Sequence, residues 1–353
     1  MKTAYFGRAL ALGLLVLAAG CKKDDPNTGS ISYEKLGEVQ VNYLSGFAAN
    51  GDPLGLSSSG EALRWRSASR QWERVGTNTA SLSGWAGAVA EDAGGNFYGA
   101  SSANGSYMLP AGSSTWQALS LPDPDPEIKW PDTPLVDGSG AVVLQTRRQT
   151  STGVRERIYR KNAGATTWTR LHDRPADNLL LQLLADNGNI YLYNSVQNPP
   201  ELYVLRPGAT SLVSVIDCMG TLVLPYCKFS AGYSPAGDVV LYQGGTGSKQ
   251  MYRIDAGVAY PTTARELYNL PDEIIGFQQF VVLSNGTTLG VGNRGGYDPM
   301  QFHIRRAGAG AWQHAPDLPG QGYIYVLANR QGQLFTASRQ SAGAEGDVYQ
   351  IKF

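Results

Sequence analysis

The sequence predicts an all-β fold: a seven-bladed β-propeller of four-stranded blades, its ring closed by an N-terminal strand that completes the last blade. Three observations carry this. The composition suits β-structure punctuated by turns, a turn motif recurs seven times, and the two ends of the chain are truncated in complementary ways. Of 353 residues, 43 are glycine and 19 proline, 42% are hydrophobic, 10% aromatic and only 16% charged. So few charges exclude a coiled coil or a solvated disordered chain, while the apolar residues supply a core. Length alone would suggest two or three domains; the repeat replaces that with one.

The repeat is an apolar strand, a turn rich in Asp, Asn or Ser that ends in glycine, and a second apolar strand. Its turn glycines are Gly51, Gly95, Gly140, Gly188, Gly237, Gly286 and Gly332, separated by 44, 45, 48, 49, 49 and 46 residues. A tight hairpin needs φ > 0 near its end, which glycine tolerates. A third strand and a small Gly/Ala/Ser turn follow each motif, and then usually tryptophan: Trp72, Trp116, Trp168 and Trp312. Leu212 stands in that place in the fourth copy, and the fifth has a longer turn without tryptophan. Four strands in about 47 residues are the dimensions of a propeller blade. The tryptophans are expected to fill the core between neighbouring sheets.

The count closes. Residues 31–353 hold about 6.9 periods, and the seventh copy stops after its third strand, Val348 to Phe353. Its missing fourth strand appears at the other end of the body, where Tyr33-Glu34-Lys35-Leu36-Gly37 matches Trp72-Glu73-Arg74-Val75-Gly76 in residue type. A ring that takes its last strand from the N-terminus leaves no open sheet edge at the seam.

The copies resemble kelch-type repeats, as in Tyr159-Arg160-Lys161 to Trp168-Thr169-Arg170-Leu171 and Trp312 to Pro319. The kelch double glycine is missing from most copies, with Gly244-Gly245 and Gly295-Gly296 as partial echoes. The resemblance implies a propeller of the kelch or galactose-oxidase-like kind.

The first twenty residues read as an address. Lys2 and Arg8 form a basic region, residues 9–19 are apolar, and Ala18-Ala19-Gly20 precede Cys21. Eleven apolar residues at 1.5 Å rise cannot cross a hydrocarbon core of about 30 Å, so this is a secretory signal and not a span. Leu17-Ala18-Ala19-Gly20-Cys21 resembles the bacterial lipobox, with leucine one position early. That resemblance implies cleavage before Cys21, a lipidated sulfur and membrane anchoring through it. Lys22-Lys23-Asp24-Asp25 looks like the surface-export signal of lipoproteins in the Bacteroidota. The expected organisation is a lipoprotein signal at 1–20, a lipidated cysteine and flexible tether at 21–30, and one propeller at 31–353. The expected location is the outer membrane of the cell envelope, facing outward.

Cys218 and Cys227 remain, an even pair in an exported protein. They read as a disulfide across the connection from blade four to blade five, contributing on the order of 2–3 kcal/mol, or as two buried thiols.

Little catalytic chemistry is legible. Gly290-Val291-Gly292-Asn293-Arg294-Gly295 fits the dinucleotide-binding pattern by letter, but Gly296-Tyr297-Asp298-Pro299 follows where that motif needs a helix. His172, His303 and His314 are read as lying in different repeats, away from any shared metal or triad site, and Asp123-Pro124-Asp125-Pro126-Glu127 as a solvated loop. No catalytic residue, metal or cofactor is expected. Lys+Arg and Asp+Glu each number 29, which gives no pull toward nucleic acid.

In a propeller the inter-blade connections and the loops between second and third strands share one face, where ligands enter. That face is expected to carry Trp130, Arg147, Arg148, Arg294 and Tyr297, a set suited to a glycan, peptide or anionic ligand. The expected function is a lipid-anchored binding or interaction module for a glycan or protein. The alternative is a carbohydrate-active lyase or hydrolase on the same scaffold, since the fold hosts both.

Overall fold

The computed structural model describes residues 31–353 except 77–87, 102–104, 123–127, 132–133, 152, 176–178, 186, 195–200, 216–226, 232–237, 244–249, 256–258, 261, 263–264, 271–275, 294–299, 317, 319–322 and 340–344. The strands form seven antiparallel sheets, one per repeat. The inner strands are Tyr43–Phe47, Ala88–Glu91, Leu135–Val136, Leu179–Leu184, Cys227–Ala231, Gly276–Val282 and Tyr323–Ala328. Each approaches the inner strand of the next blade, and Tyr323–Ala328 approaches Tyr43–Phe47, so the ring closes.

The recurring turns set the register of each blade. In six of them the glycine has φ between 76° and 88°. Its N–H bonds the carbonyl three residues back, as Gly95 N does to Asp92 O at 3.0 Å, and the N–H of that residue bonds the carbonyl just past the glycine, as Asp92 N does to Asn96 O at 2.9 Å. This is a type I turn with a left-handed residue, the geometry that lets twisted strands return on themselves. The turn at Gly237 lies outside the described residues.

Apolar side chains on both faces of each sheet pack into clusters, one at each of the seven seams. The core is therefore a circuit of interfaces, each dependent on its two neighbours. The tryptophans do more at these seams than fill space. Trp72 Nε1 donates to Leu36 O at 2.7 Å, Trp116 Nε1 to Val75 O at 3.1 Å, and Trp312 Nε1 to Asn269 O at 2.7 Å. Each indole thus staples its outer strand to the end of the preceding blade's outer strand. Trp116 is buried, and Trp72, Trp168 and Trp312 are half-buried and packed against the seam clusters, between neighbouring sheets as the sequence suggests. Gly76 is required by this packing: φ is 81°, and a Cβ there would sit 2.7 Å from Trp116 Nε1.

The N-terminal strand Ser32–Lys35 completes blade seven, pairing with Asp347–Lys352 through Ser32↔Lys352 and Lys35↔Tyr349. Its equivalence to the other outer strands extends to single bonds. Leu36 N donates to Val348 O at 2.8 Å just as Val75 N donates to Ala62 O at 2.8 Å. Tyr33 stands where Trp72 stands in blade one, and its hydroxyl donates to Pro316 O of blade six at 2.6 Å, a phenol doing the work of an indole.

Gly290 belongs to packing and not to phosphate binding. Its residue lies in the strand Thr288–Asn293, and an added Cβ would fall 2.2 Å from the ring of Phe277. That ring is 2% exposed and hemmed by Trp312, 5.2 Å between centroids, and His303, 6.5 Å away. Gly290→Ala is expected to cost about 1–3 kcal/mol through overpacking, read as a lowered urea midpoint with unchanged slope.

Candidate functional site

The two ends of the ring differ. On the face of the recurring turns, a cavity of about 250 Å³ opens among the ends of the inner strands of blades one, two, three, four and seven. Phe47, Ala48, Leu135, Leu184 and Leu327 give it an apolar wall. Arg330, exposed on the turn of blade seven, reaches across to donate to Val136 O of blade three at 2.6 Å. The acid in the wall is already engaged: Glu91 accepts from Arg64 at 3.2 Å and from Ala49 N at 2.8 Å. The cavity can hold a small apolar group under a guanidinium.

Behind this face a belt of buried polar groups ties neighbouring blades together. Arg64 of blade one bonds Glu91 of blade two. Lys161 of blade three reaches Tyr98 Oη at 2.7 Å and Asp92 at 3.4 Å in blade two. Arg160 pairs with Asp137 in its own blade and donates to Gly188 O of blade four at 3.1 Å. Burial pushes the Asp52 carboxyl up, but hydrogen bonds from Ser67 and Asn50, with Arg64 alongside, outweigh it and hold the group below its ordinary value. Asp92 is held down in the same way by Asn96, Tyr98 and Lys161, while burial and the adjacent Asp92 push the Tyr98 phenol up.

The opposite face carries the element that departs from the repeat. The second and third strands of blade three, Val142–Thr150 and Gly153–Lys161, have nine residues each, where among the described residues those of the other blades have four to six. At roughly 3.3 Å per residue the excess projects their hairpin about 10–15 Å beyond the ring. The first strand of this blade is split. Leu135–Val136 lines the ring against Val142 and Val143, and Ile128–Pro131 pairs further out along Thr146 to Arg148. Pro131 and Pro134 flank the break, since proline cannot donate to the ladder. With the outer strand Thr169–Pro175 this makes a raised, four-stranded wing.

The wing is basic in a neutral chain. Its three longest strands hold eight of the 29 basic residues and two of the 29 acidic ones. Arg160 and Lys161 lie at the base, paired as described; six arginines remain against Glu156 and Asp173. Alternation along the strands sorts them. Arg147 donates to Glu156 at 2.9 Å, with Arg174 opposite Glu156 in the register. On the other face Asp173 receives Arg155, Arg157 at 3.1 Å and Arg170 at 3.2 Å. Burial raises the Asp173 carboxyl, yet Arg155 and Arg157 hold it below the usual range. Burial, and then Arg174, keep His172 below its ordinary value and so neutral at pH 7.

Of the residues expected on the ligand face, three lie on adjacent strands of the wing: Trp130 is opposite Arg147 in the pairing, and Arg148, the next residue and so on the other face, is opposite Ile128. Arg294 and Tyr297 lie outside the described residues, as do Cys21 and Cys218; Cys227 opens the inner strand of blade five, opposite Gln243. The histidine reading needs correction. His303 and His314 share blade six and face each other across the ladder, ring centroids 5.3 Å apart, because one short turn separates the third and outer strands. His303 is fully buried, and among the described residues no group of three or more His, Cys, Asp or Glu is placed to hold a metal ion. Sequence reasoning missed Arg155, Arg157, Arg170 and Asp173, which a local charge count would have found. It also missed the cavity beneath Arg330, which no local signal marks.

No family profile and no curated protein matches this sequence. Solved structures do. An oligogalacturonate lyase from Vibrio parahaemolyticus superposes with a TM-score of 0.63 at 9% identity, over 92% of this chain and 97% of that one. YCF48 bound to D1 peptide gives 0.58 at 14%, over 93% and 98%. A fungal alcohol oxidase of the AA5 family, in complex with copper, gives 0.57 at 13%, over 92% and 76%. At such identities the likeness establishes the propeller fold alone.

Proposed function

We propose that this chain is a lipid-tethered binding module of the bacterial cell envelope, anchored through Cys21 at the outer membrane surface, with kelch-like repeats and the wing of blade three as its recognition element. The observation that carries the reading is the wing itself. Among the described residues the strands of the other blades are short and alike, and the protruding, charge-rich hairpin of blade three is where a specific ligand would be read. The neighbours in fold include a lyase, an oxidase and a peptide-bound protein, so they do not choose between binding and catalysis.

The placement of the chain ends supports the tether. Ser32 pairs with Lys352, and Ile351 with Leu334 just past the turn at Gly332, so the N-terminal strand begins on the turn face. The wing tip, where Thr150 pairs with Gly153, lies on the opposite face. A membrane anchor reached through residues 22–30 would then hold the turn face inward and present the wing outward.

Two measurements test this. Cys21→Ser is expected to move the protein from the membrane fraction to the soluble one; unchanged fractionation would refute the anchor. The full-length protein on a glycan and peptide array is expected to return a ligand that is lost when 148–153 is shortened to a two-residue turn. A ligand retained by that variant, or one released from the array as cleaved product, contradicts the binding-module reading.

A further inference from the structure

We propose that the wing is a carboxylate-recognition surface for an acidic polysaccharide, with Arg155 and Arg170 as the groups that meet it. The inference rests on the binding-module reading and names the ligand class.

The wing already shows which anion its guanidiniums accept. Three arginines converge on the single carboxylate of Asp173, and planar guanidinium forks match carboxylate geometry. Arg157 forms the floor, with 9% of its side chain exposed; Arg155 at 28% and Arg170 at 41% present theirs to solvent. A second basic pair, Arg147 and Arg174, flanks Glu156 on the other face of the same sheet, but Glu156 is buried there, so the guanidiniums that meet a ligand are those on the Asp173 face.

Other polyanions fit less well. An acidic protein partner would want a buried aromatic or aliphatic anchor at the centre of its interface. Among the described residues the wing exposes one large apolar side chain, Val154 at 38%. Ser151, exposed at the hairpin tip, adds a hydroxyl of the kind that meets sugar hydroxyls.

The test is retention of the full-length protein, in mild detergent, on alginate, dextran, dextran sulfate and poly-L-glutamate. Alginate is expected to retain the protein and neutral dextran not to, with binding weakened at least tenfold between 50 and 300 mM salt, as roughly expected for several ion contacts. Arg155→Gln combined with Arg170→Gln is expected to weaken alginate binding at least tenfold at an unchanged thermal midpoint, and Arg170→Lys to restore little of it. Arg170→Gln alone, at the most exposed of the three positions, serves if the double variant is unstable. Arg66→Gln, on the rim of blade one, is expected to change nothing. Tighter retention on poly-L-glutamate or dextran sulfate than on alginate, or equal retention on dextran, overturns the proposal. If alginate fails while the array still returns a wing-dependent ligand, the polysaccharide class alone is overturned; failure of both removes the binding reading as well.

Discussion

Replacing Arg64 with alanine is expected to lower the unfolding free energy by about 3–5 kcal/mol, the penalty for stranding buried charges. Its guanidinium, 10% exposed, donates to Glu91 at 3.2 Å and to Asn50 at 2.8 Å, lies 3.5 Å from Asp52, and sits 6.0 Å from the Phe97 ring centroid. Glu91 and Asp52 are 8% and 5% exposed. Without Arg64 both carboxylates remain buried beside each other and lose their counter-charge, and the seam between blades one and two loses its polar latch. The measurement is the urea midpoint by tryptophan fluorescence. Arg64→Met combined with Glu91→Gln should recover part of the loss, because removing both charges also removes the stranded one. A change below about 1 kcal/mol for Arg64→Ala would mean that water screens this cluster as it does a surface pair.

The second large effect is expected from deleting residues 31–36. That removal strips the outer strand from blade seven and leaves one edge of Asp347–Lys352 unpaired. Leu36, 3% exposed, alone accounts for about 1.5–3 kcal/mol of burial. The greater consequence is kinetic, since an open edge of six residues is a template for another chain. The truncated protein should leave the monomer peak on size exclusion, whereas Tyr33→Phe, which removes only the bond to Pro316, should stay monomeric and lose about 1 kcal/mol. A stable monomer after the deletion would mean that the ring closes without its N-terminal strand.

The sequence carries the architecture because the architecture is local and repeated. Gly51 to Gly332 mark the turns through a backbone requirement that glycine meets, and the match of Tyr33 to Trp72 survives down to the hydrogen bonds those side chains make. What escapes is whatever joins residues that no period connects. Arg155 and Asp173 are 18 positions apart and meet because alternation puts Arg155 on the face where Arg157 pairs with Asp173, and a bulge between Ile158 and Tyr159 brings Arg170 onto the same face. The wing's length is equally hidden: a run from Val142 to Lys161 reads as two strands of ordinary size around Thr150-Ser151-Thr152-Gly153, and only pairing to its tip shows that the ladder continues. Arg330 and Val136, 194 residues apart, meet across the ring axis, a relation that belongs to closure and not to sequence spacing.

Joining the chain's start to its end has a mechanical side. Under the proposed tether, a pull would enter the molecule at Ser32, along the axis of the outer strand of blade seven, and a ligand bound at the wing as proposed would resist from the far face. The load is then a shear, shared by the paired residues from Ser32 to Lys35 and by the Tyr33 hydroxyl on blade six, so that these bonds must yield together. Had the tether entered from the other face, the same strand would be peeled one bond at a time. The clasp that completes the ring would thus also be the joint through which a drag on the proposed ligand reaches the proposed anchor.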